Sequence, residues 1–288
     1  MGAKLRETRR RIRSIQSTKK ITKAMELIAA SRIIRAERRV RASRPFSDRI
    51  GSVIRNLAAT TERLEHPLLE RHEGAPTGLI VITADRGLAG AYNANVLRLS
   101  ERTRRELGAS NVLLYAVGRK AVSAFRFRRI PMEDQWVGFS ETPSYQDAQQ
   151  VAERVIDDFL GGRIGSARIL YTEFASMFTQ RPVAVEVLPV SAEEIEGGRQ
   201  YPPIYEFEPA PADILGQLLP TYIEVKVYQA LLESAASEHA ARRRAMSSAT
   251  ENAEELIRFY TRVANQARQA EITSEIADIV GGAEALRS

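Results

Sequence analysis

Near the start of the chain, small and apolar residues return every three or four positions. Thr22, Met25, Ala29, Ile33, Ala36, Val40, Ser43, Ser47, Ile50, Ile54 and Leu57 average one per 3.5 residues. That is the period of a coiled-coil seam, shorter than the 3.6 of a straight helix. Met246, Ala249, Ala253, Leu256, Tyr260, Val263, Ala267, Ala270 and Ser274 repeat the same period near the other end. Residues 3–44 and 221–280 contain neither Pro nor Gly, so nothing in them breaks a helix. At 1.5 Å per residue they would reach roughly 60 and 90 Å, lengths that demand a partner helix. Two matched seams predict an antiparallel pair. Many seam positions are Ala, Ser or Thr, which lets backbones approach but buries little apolar area per layer. Pro45 is expected to bend the first helix without ending it.

Between the arms the pattern changes to short apolar runs at 79–83, 112–117, 167–171 and 183–187. The first three alternate with helical patterns near 93–107, 119–127 and 145–160. Such alternation predicts an inserted, Rossmann-like α/β domain with a mainly parallel sheet. The expected organisation is an N-terminal coiled-coil helix over 1–64, the α/β domain over 76–208 and a C-terminal coiled-coil helix over 211–286, a head on a shaft.

Composition narrows the chemistry. With 288 residues, 44% apolar and 27% charged, the chain is that of an ordered protein. No stretch has the 18 consecutive apolar residues of a membrane span. There is no Cys, and His66, His72 and His239 are too scattered to suggest a metal site. The net charge of +6 is uneven. Residues 1–44 hold fifteen Lys/Arg against three Asp/Glu, so the other 244 residues sum to −6. The basic arm suits an acidic partner as well as nucleic acid, although no aromatics are interleaved for base stacking.

The loop Asp85-Arg86-Gly87-Leu88-Ala89-Gly90 follows the first predicted strand, where α/β folds often bind ligands. It carries neither dinucleotide nor P-loop spacing, and a structural turn or contact surface is the better reading. Asp157-Asp158, Glu193-Glu194 and Glu254-Glu255 read as solvated helix faces, His239 as a seam or flank residue, and Trp136 as packing. No catalytic set, cofactor site or metal site emerges.

Four strings carry a resemblance: 21–31 (ITKAMELIAAS), 85–93 (DRGLAGAYN), 236–242 (ASEHAAR) and 267–275 (ARQAEITSE). Together with the terminal pattern Ile272-Thr273-x-Glu275-x-x-Asp278-x-x-x-Gly282-Ala283-x-Ala285, they resemble the gamma subunit of bacterial F-type ATP synthases over nearly the whole chain. The resemblance implies a non-catalytic central rotor, present in one copy. It turns inside a hexameric ring of alpha and beta subunits, with its α/β domain near the epsilon subunit and the c-ring. By position, Arg268 and Gln269 match residues that engage a loop of the beta subunit, and Thr273 lies one turn further on. Lys23 and Met25 match the shaft segment facing the beta subunit's acidic lever. Tyr205 and Phe207 match a foot beside epsilon and the c-ring. The implied place is the cytoplasmic side of the plasma membrane, with no nucleic acid and no directly bound nucleotide. Two other classes remain open at this point: a coiled-coil tether with a globular hinge and a basic nucleic-acid-binding arm, and an enzyme using a nucleotide at 85–90.

Overall fold

The computed structural model describes residues 3–59, 66–190 and 211–285. Helix α1 spans Ala3–Ala59, and the last helix, α5, spans Pro211–Ala285. Between them run β1 (Thr77–Ile82), α2 (Tyr92–Leu107), β2 (Val112–Val117), α3 (Arg119–Phe127), β3 (Asp134–Trp136), α4 (Tyr145–Leu160), β4 (Ser166–Phe174) and β5 (Gln180–Leu188). The chain packs as two units, one of residues 30–242 and one of residues 1–29 with 243–288. α1 runs through Pro45 as continuous helix, and α5 runs through Pro220.

In the 30–242 unit the sheet order is β3-β2-β1-β4-β5, with β1 to β4 parallel and β5 antiparallel to β4. Alternation along each strand sends side chains to opposite faces. Leu79, Val81, Leu114 and Ala116 pack under α2 and α3 with Val96, Val122 and Phe125. Ile80, Ile82, Tyr115 and Ile169 face α4 and the helix pair, where Val155, Phe159, Ile54, Leu57, Leu219 and Ile223 close a second core. Each fully buried aliphatic side chain contributes about 1.5–3 kcal/mol. Trp136 packs against that second core, as expected of an isolated aromatic.

Two features of this unit, β3 and Asp158, depart from the sequence reading, and Gly118 adds a backbone constraint. Strand β3 is only three residues long and carries no periodic signal. Asp158 is buried, unlike its neighbour Asp157. It accepts a 2.6 Å hydrogen bond from Tyr115 Oη and pairs with Arg154 at 3.4 Å and Arg163 at 3.2 Å. These partners offset the desolvation that would otherwise forbid a carboxylate there. Gly118 sits at φ +90°, and a Cβ on it would fall 2.1 Å from Thr83 O, so the chain can turn from β2 into α3 only with glycine.

The loop after β1 is held by its own acid. Asp85 accepts hydrogen bonds from the backbone N–H of Arg119 at 3.0 Å, Gly138 at 2.9 Å and Ser140 at 3.1 Å. The Asp85 N–H donates to Ser140 Oγ at 2.9 Å, and Asn93 Oδ1 accepts from the Ala84 N–H at 2.9 Å. One carboxylate thus ties three successive turns at the carboxyl edge of the sheet.

Beside it, Glu141 gathers arginines from three elements. Arg32 of α1 contacts it, Arg86 of the loop lies 3.7 Å away and Arg242 of α5 3.5 Å away. Arg242 also bonds Glu238 at 2.6 Å and donates to Gly87 O at 3.3 Å. His239, 2% exposed, lies 3.3 Å from Glu141 O through Nε2. Burial, and then Arg242, hold its pKa down to about 4.

Two outcomes follow from these contacts. Asp85→Ala strands three backbone donors and should lower unfolding free energy by about 3 kcal/mol in urea denaturation. His239 enters the fold neutral, so its contribution is complete above its ordinary pKa of 6.5 and is lost as pH falls toward about 4. Burial raises the pKa of Glu238, which acts with the opposite sign over the acidic range. The difference between wild type and His239→Gln isolates the histidine. Stability of the wild type relative to the variant should fall by about 3 kcal/mol from neutral pH down to pH ~4, and a pH-independent difference would contradict a neutral buried imidazole.

Candidate functional site

The first part of the basic arm lies in the unit formed by residues 1–29 and 243–288, where α1 and α5 run antiparallel. Thr22 and Thr250 share a buried 2.8 Å hydrogen bond between their hydroxyls. Lys19 pairs with Glu254 at 2.8 Å, and Arg11 lies over the ring of Tyr260. Lys19 holds Glu254 below the ordinary carboxylate pKa through that hydrogen bond and its charge. These pairs fix the register: the two numbers sum to 271–273 at each level.

The N-terminal seam extends further than its periodicity suggested, with Leu5 and Thr8 buried as well. The C-terminal seam is corrected at alternate positions, where Thr250, Ile257 and Ala264 stand in place of Ala249, Leu256 and Val263. Leu256 is 47% exposed, and Ile257 takes its place between Ala253 and Tyr260. Met246, Thr250, Ala253, Ile257, Tyr260, Ala264 and Ala267 make a run of alternating fours and threes, and Leu256 falls one residue out of phase. Ala270 and Ser274 are exposed, so this seam fades after Ala267. By the register above, Ala3 of α1 stands opposite about residue 268, and the α5 residues beyond that level pass the described start of α1.

The residues singled out from the sequence sit at two levels of this unit. Lys23 is exposed and reaches Glu26 at 3.1 Å, while Met25 is half-buried at the seam edge. Arg268, Gln269 and Thr273 are exposed on α5, and the Thr273 hydroxyl donates to Gln269 O at 2.9 Å. Eighteen residues separate Thr250, beside Lys23 and Met25, from Arg268, roughly 27 Å along a helix. The two groups are therefore separate surfaces on one helix pair. Tyr205 and Phe207 lie outside the described residues.

One feature near Arg268 was not singled out from the sequence. Ile272, Ile276, Ile279 and Val280 are exposed, Ile279 to 71%, and their spacing of four and three or four puts them on one face of α5. The i, i+4, i+7 signal was present in the sequence, but it reads as ordinary helix burial until the register shows that the described part of α1 starts short of it.

Among the described residues the candidate loop after β1 is occupied structurally. Asp85 spends its carboxylate on backbone N–H groups, the Gly87 carbonyl accepts from Arg242, and Gly90 takes the positive φ of a turn. Among the described residues no cluster of His, Asp and Glu is placed to hold a metal. No described helix is long and apolar enough to cross a membrane.

Comparison with known proteins covers nearly the full length of the chain. The family profile described as ATP synthase matches residues 4–286. The ATP synthase gamma chain of Acidothermus cellulolyticus is 51% identical, over 99% of this chain and 98% of its own length. That of Frankia casuarinae is 52% identical, over 100% and 99%. Among solved structures, a chain of the Euglena gracilis mitochondrial ATP synthase assembly of OSCP, F1 and c-ring superposes with a TM-score of 0.70. It has 18% identity, over 99% of this chain and 95% of that one. A chain of the Tetrahymena thermophila mitochondrial ATP synthase central stalk and c-ring superposes with a TM-score of 0.61 at 24% identity, covering 80% of this chain and 99% of that one. These structures share the fold, an antiparallel pair of long terminal helices with an inserted α/β domain. At half its residues identical over their whole length, the protein belongs to the ATP synthase gamma-chain family.

Proposed function

We propose that this chain is the central-stalk rotor of a proton-translocating ATP synthase and has no catalytic site of its own. The observation that carries the proposal is the full-length relationship to gamma chains, joined to a helix pair whose far end leaves an apolar face uncovered. Such a face needs surroundings. A sleeve of alpha and beta subunits would supply them, and Arg268 and Gln269 stand beside the apolar face to engage a beta-subunit loop. Thr273 is the adjoining contact. Lys23 and Met25 would meet the acidic lever of the beta subunit, with Tyr205 and Phe207 toward epsilon and the c-ring.

The mechanism needs no reacting group on this chain. A single asymmetric helix pair presents a different surface in each direction, so three beta subunits around it meet three different sets of contacts. Turning the pair changes which conformation each site favours, and only such differential contact can shift those equilibria. The driving work is proton movement, about 2.3 kcal/mol per charge per 100 mV, summed over several protons for each ATP. One copy per complex, the cytoplasmic face of the plasma membrane and the division into arms at 1–64 and 211–286 around a domain at 76–208 belong to the same reading.

Reconstitution with alpha and beta subunits tests it. If each contact contributes about 1–2 kcal/mol, Arg268→Ala and Gln269→Ala should each lower ATPase turnover or complex yield about five- to thirtyfold. Unchanged turnover and yield in both variants would remove these two residues from the contact.

A further inference from the structure

The 30–242 unit contains a cleft of about 440 Å³ between α1, the segment before α4 and α5. Arg32, Arg35 and Arg39 of α1 line it, facing Glu141 and His239. Spacings of three and four place the three arginines on one side of the helix. Ala36, Leu232 and Ala235 form the carbon part of the wall, and the two alanines leave the space open.

The charges do not cancel. Glu141 is already matched by Arg32, Arg86 and Arg242, and Glu238 by Arg242. Arg35 and Arg39 are exposed, and among the described residues neither has an acidic partner within the chain. The nearby Glu37 bonds Arg41 at 2.7 Å. The five guanidiniums and two carboxylates of the cluster therefore leave an excess of three positive charges, with His239 neutral. Repulsion among cations gathered on one concave surface is relieved by an anion.

The side chains select the kind of anion. Every cation at the cleft is Arg, and none is Lys. Guanidinium forks match phosphoryl oxygens two at a time, and they are less strongly hydrated than ammonium groups. A volume of this size is in the range of small-molecule sites, larger than a lone halide would use. We infer that this cleft binds a phosphoryl oxyanion, gripped by Arg35 and Arg39 beside the Glu141 arginine cluster. The inference is independent of the rotor reading, since it concerns the isolated chain.

Calorimetric titration of the full chain tests it, with inorganic phosphate, pyrophosphate and magnesium-free ATP at ionic strength held constant by chloride. Saturable single-site binding is expected for at least pyrophosphate. The Arg35→Gln/Arg39→Gln double variant should bind about tenfold or more weakly, while Arg13→Gln, an exposed arginine away from the cleft, should bind as wild type. Circular dichroism should report the same helix content in all three proteins. Equal affinity for pyrophosphate and ATP would assign the site to the phosphoryl group alone, and tighter ATP binding would assign it to a nucleotide's phosphates. Heats that never saturate, or an undiminished affinity in the double variant, would overturn the inference.

Discussion

The requirement on which this structure rests is mutual burial of two seams built largely from small residues. Neither α1 nor α5 has enough apolar surface on any one side to persist alone at its length, and each meets the need only by lying against the other in one register. In the 1–29 and 243–288 unit, that register is fixed by the Thr22–Thr250 hydroxyl pair together with Lys19–Glu254 and Arg11–Tyr260. In the 30–242 unit it is supported by a larger core, where Ile54 and Leu57 meet Leu219 and Ile223 beneath the sheet. Small seam residues give close backbone approach and little area. Polar cross-links then matter more for alignment than they would in a leucine-rich seam.

The α/β domain is attached to the helix pair through charge as well as packing. Glu141 receives arginines from α1, from the loop after β1 and from α5, so one carboxylate reports on three elements at once. Burying Glu238, Arg242 and His239 together is costly without mutual contacts, and the cluster supplies most of them. Asp85 performs the parallel task for backbone alone. The DRGLAG string that invites a phosphate-loop reading is, in three dimensions, a clamp on neighbouring turns.

Much of the architecture was legible in the sequence because it depends on periodicity, and periodicity survives without knowledge of partners. The N-terminal seam positions are all buried or half-buried, and the predicted helices near 93–107, 119–127 and 145–160 match α2, α3 and α4 closely. What escaped had a non-local cause. Leu256 gave way to Ile257 because the facing helix, not hydrophobicity, sets the phase. Asp158 looked like half of a solvated acidic pair; Arg154 and Arg163 are near it in sequence, but only the fold brings Tyr115 and the core to it. The cleft at Arg35 and Arg39 was hidden within a charge run, since a run of arginines does not say which of them find acids. The candidate contacts Arg268, Gln269 and Thr273 came from likeness to a family, and their exposure agrees with a surface role.

Past residue 268, α5 continues beyond the described start of α1. Along that stretch the described part of α1 does not back α5, so the order of this end depends on what lies against Ile272, Ile276 and Ile279.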